Sequence, residues 1–157
     1  MRATTPFLVL LVLAQQCYAA ENEYRTGGSR YERTWQKFYV EAVHEPDIDD
    51  SLIAKGKAMV PAICEAVKHK DMKHRRYAIG ALGYINERTA LPTLEAILSD
   101  ESEIDYFRGD ALQSIYRIDS KRGLSYAAKY RSQPNTLGQY AKAVIKREPW
   151  LLLPSNE

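Results

Sequence analysis

Apolar positions along this chain return with a helical period from about residue 34 to residue 146, and the pattern predicts a succession of amphipathic helices with no strand between them. Thr34 is placed to cap a first helix in which Trp35, Phe38, Tyr39, Ala42 and Val43 share one face. His44-Glu45-Pro46-Asp47 breaks that helix, and Asp49-Asp50-Ser51 supplies the turn and cap of a second, whose stripe is Leu52, Ile53, Gly56, Val60, Ile63 and Val67. Pro61 interrupts the stripe, so the second helix either starts near Met59 or bends there. A third helix is expected over 72–85, with Tyr77, Ala78, Ala81, Leu82 and Ile85 inward and with Gly80, Ala81 and Gly83 small enough for a neighbour to come close. Four more are expected over 90–98, 104–118, 124–130 and 137–146.

The pattern also repeats itself. Arg75, Ala78, Leu82, Ile85 and Asn86 return 33 residues later as Arg108, Ala111, Ile115, Ile118 and Asp119. Val60-Pro61 with Ile63 and Val67 matches Leu91-Pro92 with Leu94 and Leu98 at an offset of 31, so the second helix of each pair begins just before a proline. A repeat of this length signals stacked helix pairs, each with an apolar face that only the next pair can cover. The expected fold is all-α, a short right-handed α-solenoid of about three helix pairs.

Before the periodic region the character changes. Residues 1–19 carry Arg2, an apolar run from Phe7 to Ala14 and the small-residue pair Cys17 and Ala19, which is the make-up of a signal peptide cleaved after Ala19. Residues 20–33, with Thr26-Gly27-Gly28-Ser29, have no apolar period and are expected to be flexible; 34–148 form the repeat domain and 149–157 a tail. The chain of 157 residues, 45% hydrophobic and 27% charged, has the composition of one ordinary domain. Once Arg2 is removed with the leader, 21 basic residues face 20 acidic ones, so charge points to no polyanion, and nucleic acid is not expected as a partner. The leader pattern also changes how the cysteines read: the mature chain would keep Cys64 alone, which in its helical setting reads as a half-buried small hydrophobe. A periplasmic or secreted location follows from the same pattern, with no stable membrane insertion after cleavage.

The block Arg75-Arg76-Tyr77-Ala78-Ile79-Gly80-Ala81-Leu82-Gly83-Tyr84-Ile85-Asn86, followed by Ala90-Leu91-Pro92-Thr93-Leu94-Glu95-Ala96-Ile97-Leu98-Ser99-Asp100, resembles the HEAT repeat, in particular the bacterial HEAT-like units associated with phycobilisome lyases. The resemblance implies antiparallel helix pairs whose second helices line the concave side. In that frame Arg75, Arg108, Asn86 and Asp119 look like staples between repeats. It also places Glu65, Glu95, Tyr126 and Lys129 of the second helices on the surface where a partner would bind.

Catalytic chemistry finds few candidates. The three histidines, His44, His69 and His74, lie in or beside loops, with no nucleophile and carboxylate at triad spacing. No His-Glu-x-x-His, no Cys-x-x-Cys and no calcium-loop pattern occurs, so neither metal nor cofactor is expected, and the sequence is read as that of a binding protein and not an enzyme. Tyr84, Tyr106, Tyr116, Tyr126 and Tyr130 do not all fit inward stripes; they suit either an interface or the wrapped ends of a small solenoid. The tail Pro149-Trp150-Leu151-Leu152-Leu153-Pro154 either folds back on the last pair or docks on a partner. The expected function is an exported protein-protein interaction module that inhibits its partner, as an immunity protein against a periplasm-acting toxin would. The alternative is an accessory scaffold of an envelope complex or a secreted enzyme.

Overall fold

The computed structural model describes residues 30–41 and 50–148. The predicted leader, most of the 20–33 segment, the apolar positions Ala42 and Val43 and the 149–157 tail lie outside the described residues. Among the described residues every regular element is helical.

The first helix, α1 (Glu32–Val40), begins two residues before Thr34. That threonine therefore lies inside the first turn and does not cap it; Tyr31 holds the N-cap position with no side-chain bond. Trp35 and Phe38 are fully buried, with Tyr39 stacked on Trp35 at 5.9 Å between ring centroids. Next, α2 (Ser51–Lys55) is capped as expected, the Asp50 carboxylate accepting from the amides of Leu52 at 2.8 Å and Ile53 at 3.1 Å.

The apolar stripe that runs on from α2 is broken by Gly56, whose φ of +67° an L side chain rarely adopts. A 3-10 turn, Gly56–Met59, leads into α3 (Val60–Ala66) with Pro61 in its first turn, where a missing N–H costs nothing. The device recurs: the 3-10 turn Arg88–Ala90 leads into α5 (Leu91–Ser99), with Pro92 at the matching place. Of the two readings of Pro61, the later start is the one the chain adopts.

Between them, α4 (Arg75–Ile85) starts three residues later than its apolar pattern, because His74 sits in the left-handed region at φ 58° and ends any helix through it. Tyr77, expected inward, is 39% exposed. The buried face of α4 is made by Arg75, Ala78, Ile79 and Leu82, and Tyr77 falls about 100° round the helix from Ala78. The next pair is α6 (Asp105–Ile118) and α7 (Ser120–Tyr130). The latter starts earlier than the expected Leu124, since Asp119 accepts from the Arg122 amide at 3.1 Å and makes residues 120–123 a helical turn. Finally α8 (Thr136–Lys146) is capped by Asn135 onto Gly138 at 3.1 Å.

These helices stack as a short all-α solenoid. The first helices α4, α6 and α8 lie side by side, while α5 packs on α6 and α7 on both α6 and α8. A single apolar core runs from Trp35, Phe38 and Leu52 through Ile63, Leu82 and Leu94 to Leu112, Ile115 and Leu137. Close approach between α4 and α6 depends on Gly83, where a Cβ would fall 2.8 Å from the Ser114 backbone. Gly80, the other glycine expected to admit a neighbour, faces open space instead.

Arg75 and Arg108 act as staples of one design. The Nε of Arg75 donates to the Val67 carbonyl at 2.7 Å, at the C-terminal end of α3, and that of Arg108 to the Leu98 carbonyl at 3.0 Å, near the end of α5. Each thereby satisfies a carbonyl that its helix leaves without an internal partner. Arg75 also pairs with Glu103 at 2.8 Å, both side chains being buried, and its guanidinium lies 5.2 Å from the Phe107 ring centroid. Arg108 lies 5.6 Å from the Tyr130 ring in the same manner.

Candidate functional site: an arginine and tyrosine groove on the first helices

A groove with a cavity of about 260 Å³ runs along α4, between the start of α2 and the outer side of α6. The helical period sets Tyr77 and Tyr84 seven residues apart on α4, with Gly80 and Ala81 between them as a low floor. Asp110, Gln113 and Arg117, at helical spacing along α6, form the facing wall, which Tyr140 of α8 extends.

Asp110 organises this wall. It is 6% exposed, accepts from Arg76 Nε at 3.1 Å through one oxygen and from the Tyr140 hydroxyl at 2.9 Å through the other. Burial pushes its carboxyl up to about 6, against the opposing pull of Arg76, the Tyr140 hydrogen bond and Arg117. Burial also pushes the Tyr140 hydroxyl up to about 12, with the Asp110 charge adding to the effect. The Arg76 guanidinium sits 4.0 Å over the Tyr106 ring, and that of Arg117 4.1 Å over the Tyr84 ring while donating to the Tyr84 hydroxyl at 3.0 Å. Each arginine is thus held on an aromatic face contributed by the neighbouring repeat. The arrangement offers fixed cations, aromatic edges and one carboxyl that can take up a proton near neutrality.

The sequence points elsewhere for a binding surface. Of the residues it nominates, Glu95 and Tyr126 are brought together: Glu95 accepts from the Tyr126 hydroxyl at 3.1 Å and from Arg122 Nη1 at 3.0 Å. They border an open depression with Asp119, Lys121 and Ser125. Burial, followed by the bond to Glu95, raises the Tyr126 hydroxyl above its ordinary value. Glu65 is exposed on α3 and paired with Lys68 one turn on, which holds its carboxyl below the usual range. Lys129 lies on α7 with its ammonium 5.1 Å from the Tyr130 ring centroid. Neither joins the Glu95 and Tyr126 depression.

Arg76, Asp110, Arg117 and Tyr140 were not nominated. A signal existed for one of them: Asp110 occupies the place that the 33-residue repeat gives to Tyr77, a charge inside a helical stripe. Among the five tyrosines that did not fit inward stripes, Tyr116 and Tyr130 are buried, and Tyr84, Tyr106 and Tyr126 are half-buried. Cys64 is half-buried, and burial raises its thiol above the ordinary value. Among the described residues, no group of three or more His, Cys, Asp or Glu is gathered to hold a metal ion. None of the helices there is long and apolar enough to cross a membrane.

Stacked helix pairs joined by equivalent arginine staples define the class: a helical-repeat solenoid. Within that class the chain belongs to the HEAT repeats, the family whose pattern matches residues 57–140, more than half of the chain. HEAT repeats form scaffolds for protein-protein binding. The chain is also 26% identical over 98 residues, 62% of its length, to a deoxyhypusine hydroxylase of Danio rerio. It spans about a third of that relative, 32% of its length. No solved structure matches the chain.

This relative corrects one expectation. The absence of a triad or metal motif from the sequence points away from an enzyme, yet a chain similar over those residues bears the name of a hydroxylase. Helical repeats and missing motifs are therefore no ground for excluding catalysis.

Proposed function

We propose that this chain is an exported interaction module, periplasmic or secreted, that grips a segment of a partner protein in the groove along α4 and inhibits that partner, as an immunity protein against a periplasm-acting toxin would. The observation that carries the binding surface is the groove itself: Tyr77, Tyr84, Arg76 and Arg117 are fixed around an open floor at Gly80. Tyrosine and arginine concentrate binding energy at interfaces because they present large rigid contact areas. Export rests on the apolar run from Phe7 to Ala14 and the small residues before Ala20. The bacterial type of the repeat unit belongs to the same reading.

A second reading has its own observation. The Glu95, Arg122 and Tyr126 depression lies on the second helices, away from the α4 groove. Two such surfaces suit an accessory scaffold that holds two proteins of an envelope complex together.

The test is a pull-down with the 20–157 chain from the periplasm and culture fluid of its source, run beside Gly80→Trp. A Cβ at Gly80 meets nothing, so tryptophan would fill the groove and leave the packing intact. Loss of a stoichiometric enzyme that the wild-type chain retains and silences is the result expected. Retention unchanged by Gly80→Trp would overturn the groove as the binding surface. A retained partner whose mass has increased by one oxygen would instead favour the activity named by the hydroxylase relative.

A further inference from the structure

We propose that the α4 groove recognises an acidic segment of its partner, with a carboxylate of that segment seated on the Arg76 guanidinium and the flanking side chains lying against Tyr77 and Tyr84. The inference rests on the groove being the binding surface, and it follows from which charges the groove leaves available. Asp50 borders the groove, but it is buried and its carboxylate is engaged by the Leu52 and Ile53 amides. Asp110 is buried too, and both its oxygens are engaged, one by Arg76 and one by Tyr140. The carboxylates of the groove are therefore turned inward.

The cations are not. Arg76 has a side chain 43% exposed, with its Nε spent on Asp110 and its plane resting on Tyr106. The same side chain also reaches the Tyr140 hydroxyl. The exposed side of the guanidinium is what meets an incoming carboxylate, already oriented by the stacking below. Arg117 adds a second positive charge from the facing α6 wall, fixed on Tyr84. Between the two, Gly80 offers no side chain, so an extended backbone can lie close to α4.

Binding of this kind is coupled to protonation of Asp110. The groups facing that carboxyl are Arg76 from α4, Arg117 from its own helix α6 and Tyr140 from α8. When Asp110 takes up a proton, the carboxylate paired with Arg76 among the described residues loses its charge, and the guanidinium is freer to turn to the incoming acid. Affinity for an acidic segment should therefore rise as pH falls from 7.5 to 6, above the range in which the carboxylates of the segment themselves titrate.

The experiment is fluorescence anisotropy with the full chain and three labelled decapeptides of alternating composition, Glu-Tyr, Gln-Tyr and Lys-Tyr. The Glu-Tyr peptide should bind about tenfold more tightly than Gln-Tyr, with Lys-Tyr weaker still, a preference typical of a charge-assisted pair over a neutral one. Arg76→Gln with Arg117→Gln should remove the preference for Glu over Gln. Asp110→Asn should keep it and abolish its pH dependence. Equal binding of the Glu and Gln peptides, preference for Lys, or no binding of any peptide would overturn the proposal. Gly80→Trp separates this result from failure of the groove. If it abolishes partner retention while the peptides show no charge preference, the groove stands and the acidic ligand falls. If it leaves retention intact, the groove reading itself has failed.

Discussion

Single residues decide two properties of this molecule, its pH response and the strength of its staples. Asp110 has its folded value raised to about 6, so the folded state holds a proton that the unfolded chain releases. The sign follows: this carboxyl weakens the fold above pH 6, and that cost is relieved as pH falls toward 4. Asp110→Asn keeps an acceptor for the Tyr140 hydroxyl and removes the buried charge. We expect it to raise stability at pH 7.5 by up to about 3 kcal/mol, and to lose the gain near pH 4, in urea unfolding run at both values. A variant equally destabilised at both would contradict this. The Arg75 and Glu103 pair is buried on both sides, so removal of one partner strands the other. Arg75→Ala should cost about 3–5 kcal/mol, and Arg108→Ala less, because its partner Asp105 is 34% exposed. Calorimetry that ranks the two in the opposite order would overturn this difference. The sequence displayed Arg75 and Arg108 as a matched pair because both serve the same carbonyl in successive repeats. It could not display Arg76, Asp110 and Tyr140, because their contacts cross three helices and each element of the set differs from repeat to repeat.

At the level of elements, the two glycines of α4 have opposite meanings. Gly83 lies against Ser114, so Gly83→Ala forces α4 and α6 apart and should destabilise by about 1–3 kcal/mol. Gly80 meets nothing, and Gly80→Ala should stabilise by about 0.5–1 kcal/mol through helix propensity alone. Thermal melts of the two variants moving in the same direction would contradict this assignment. Asp50, which caps α2 with two hydrogen bonds, should cost about 1–2 kcal/mol on replacement by alanine, read as a lowered urea midpoint. Most of these elements were legible beforehand, since the apolar period and the paired Pro61 and Pro92 locate them to within a few residues. Their starts were less legible. His74 in the left-handed region, the 3-10 turns before α3 and α5, and the Asp119 cap of α7 are set by backbone geometry that apolar spacing does not encode.

The whole molecule is a short stack whose first helices pack side by side and whose outer face along α4 is left as a groove. The solenoid was readable from the 33-residue repeat, because each helix pair must cover the apolar face of the next. The proposed groove was not, because family geometry directed attention to the second helices, while the concentration of fixed arginine and tyrosine lies on the first. Photo-cross-linking decides between these faces. A photoreactive phenylalanine analogue placed at Tyr77, in the groove, and in a second protein at Ser125, on the second-helix face, is illuminated in an extract of the protein's source. The account predicts one dominant adduct from position 77 and none from position 125. An adduct from position 125 alone would contradict it and move the interface to the Glu95 and Tyr126 depression.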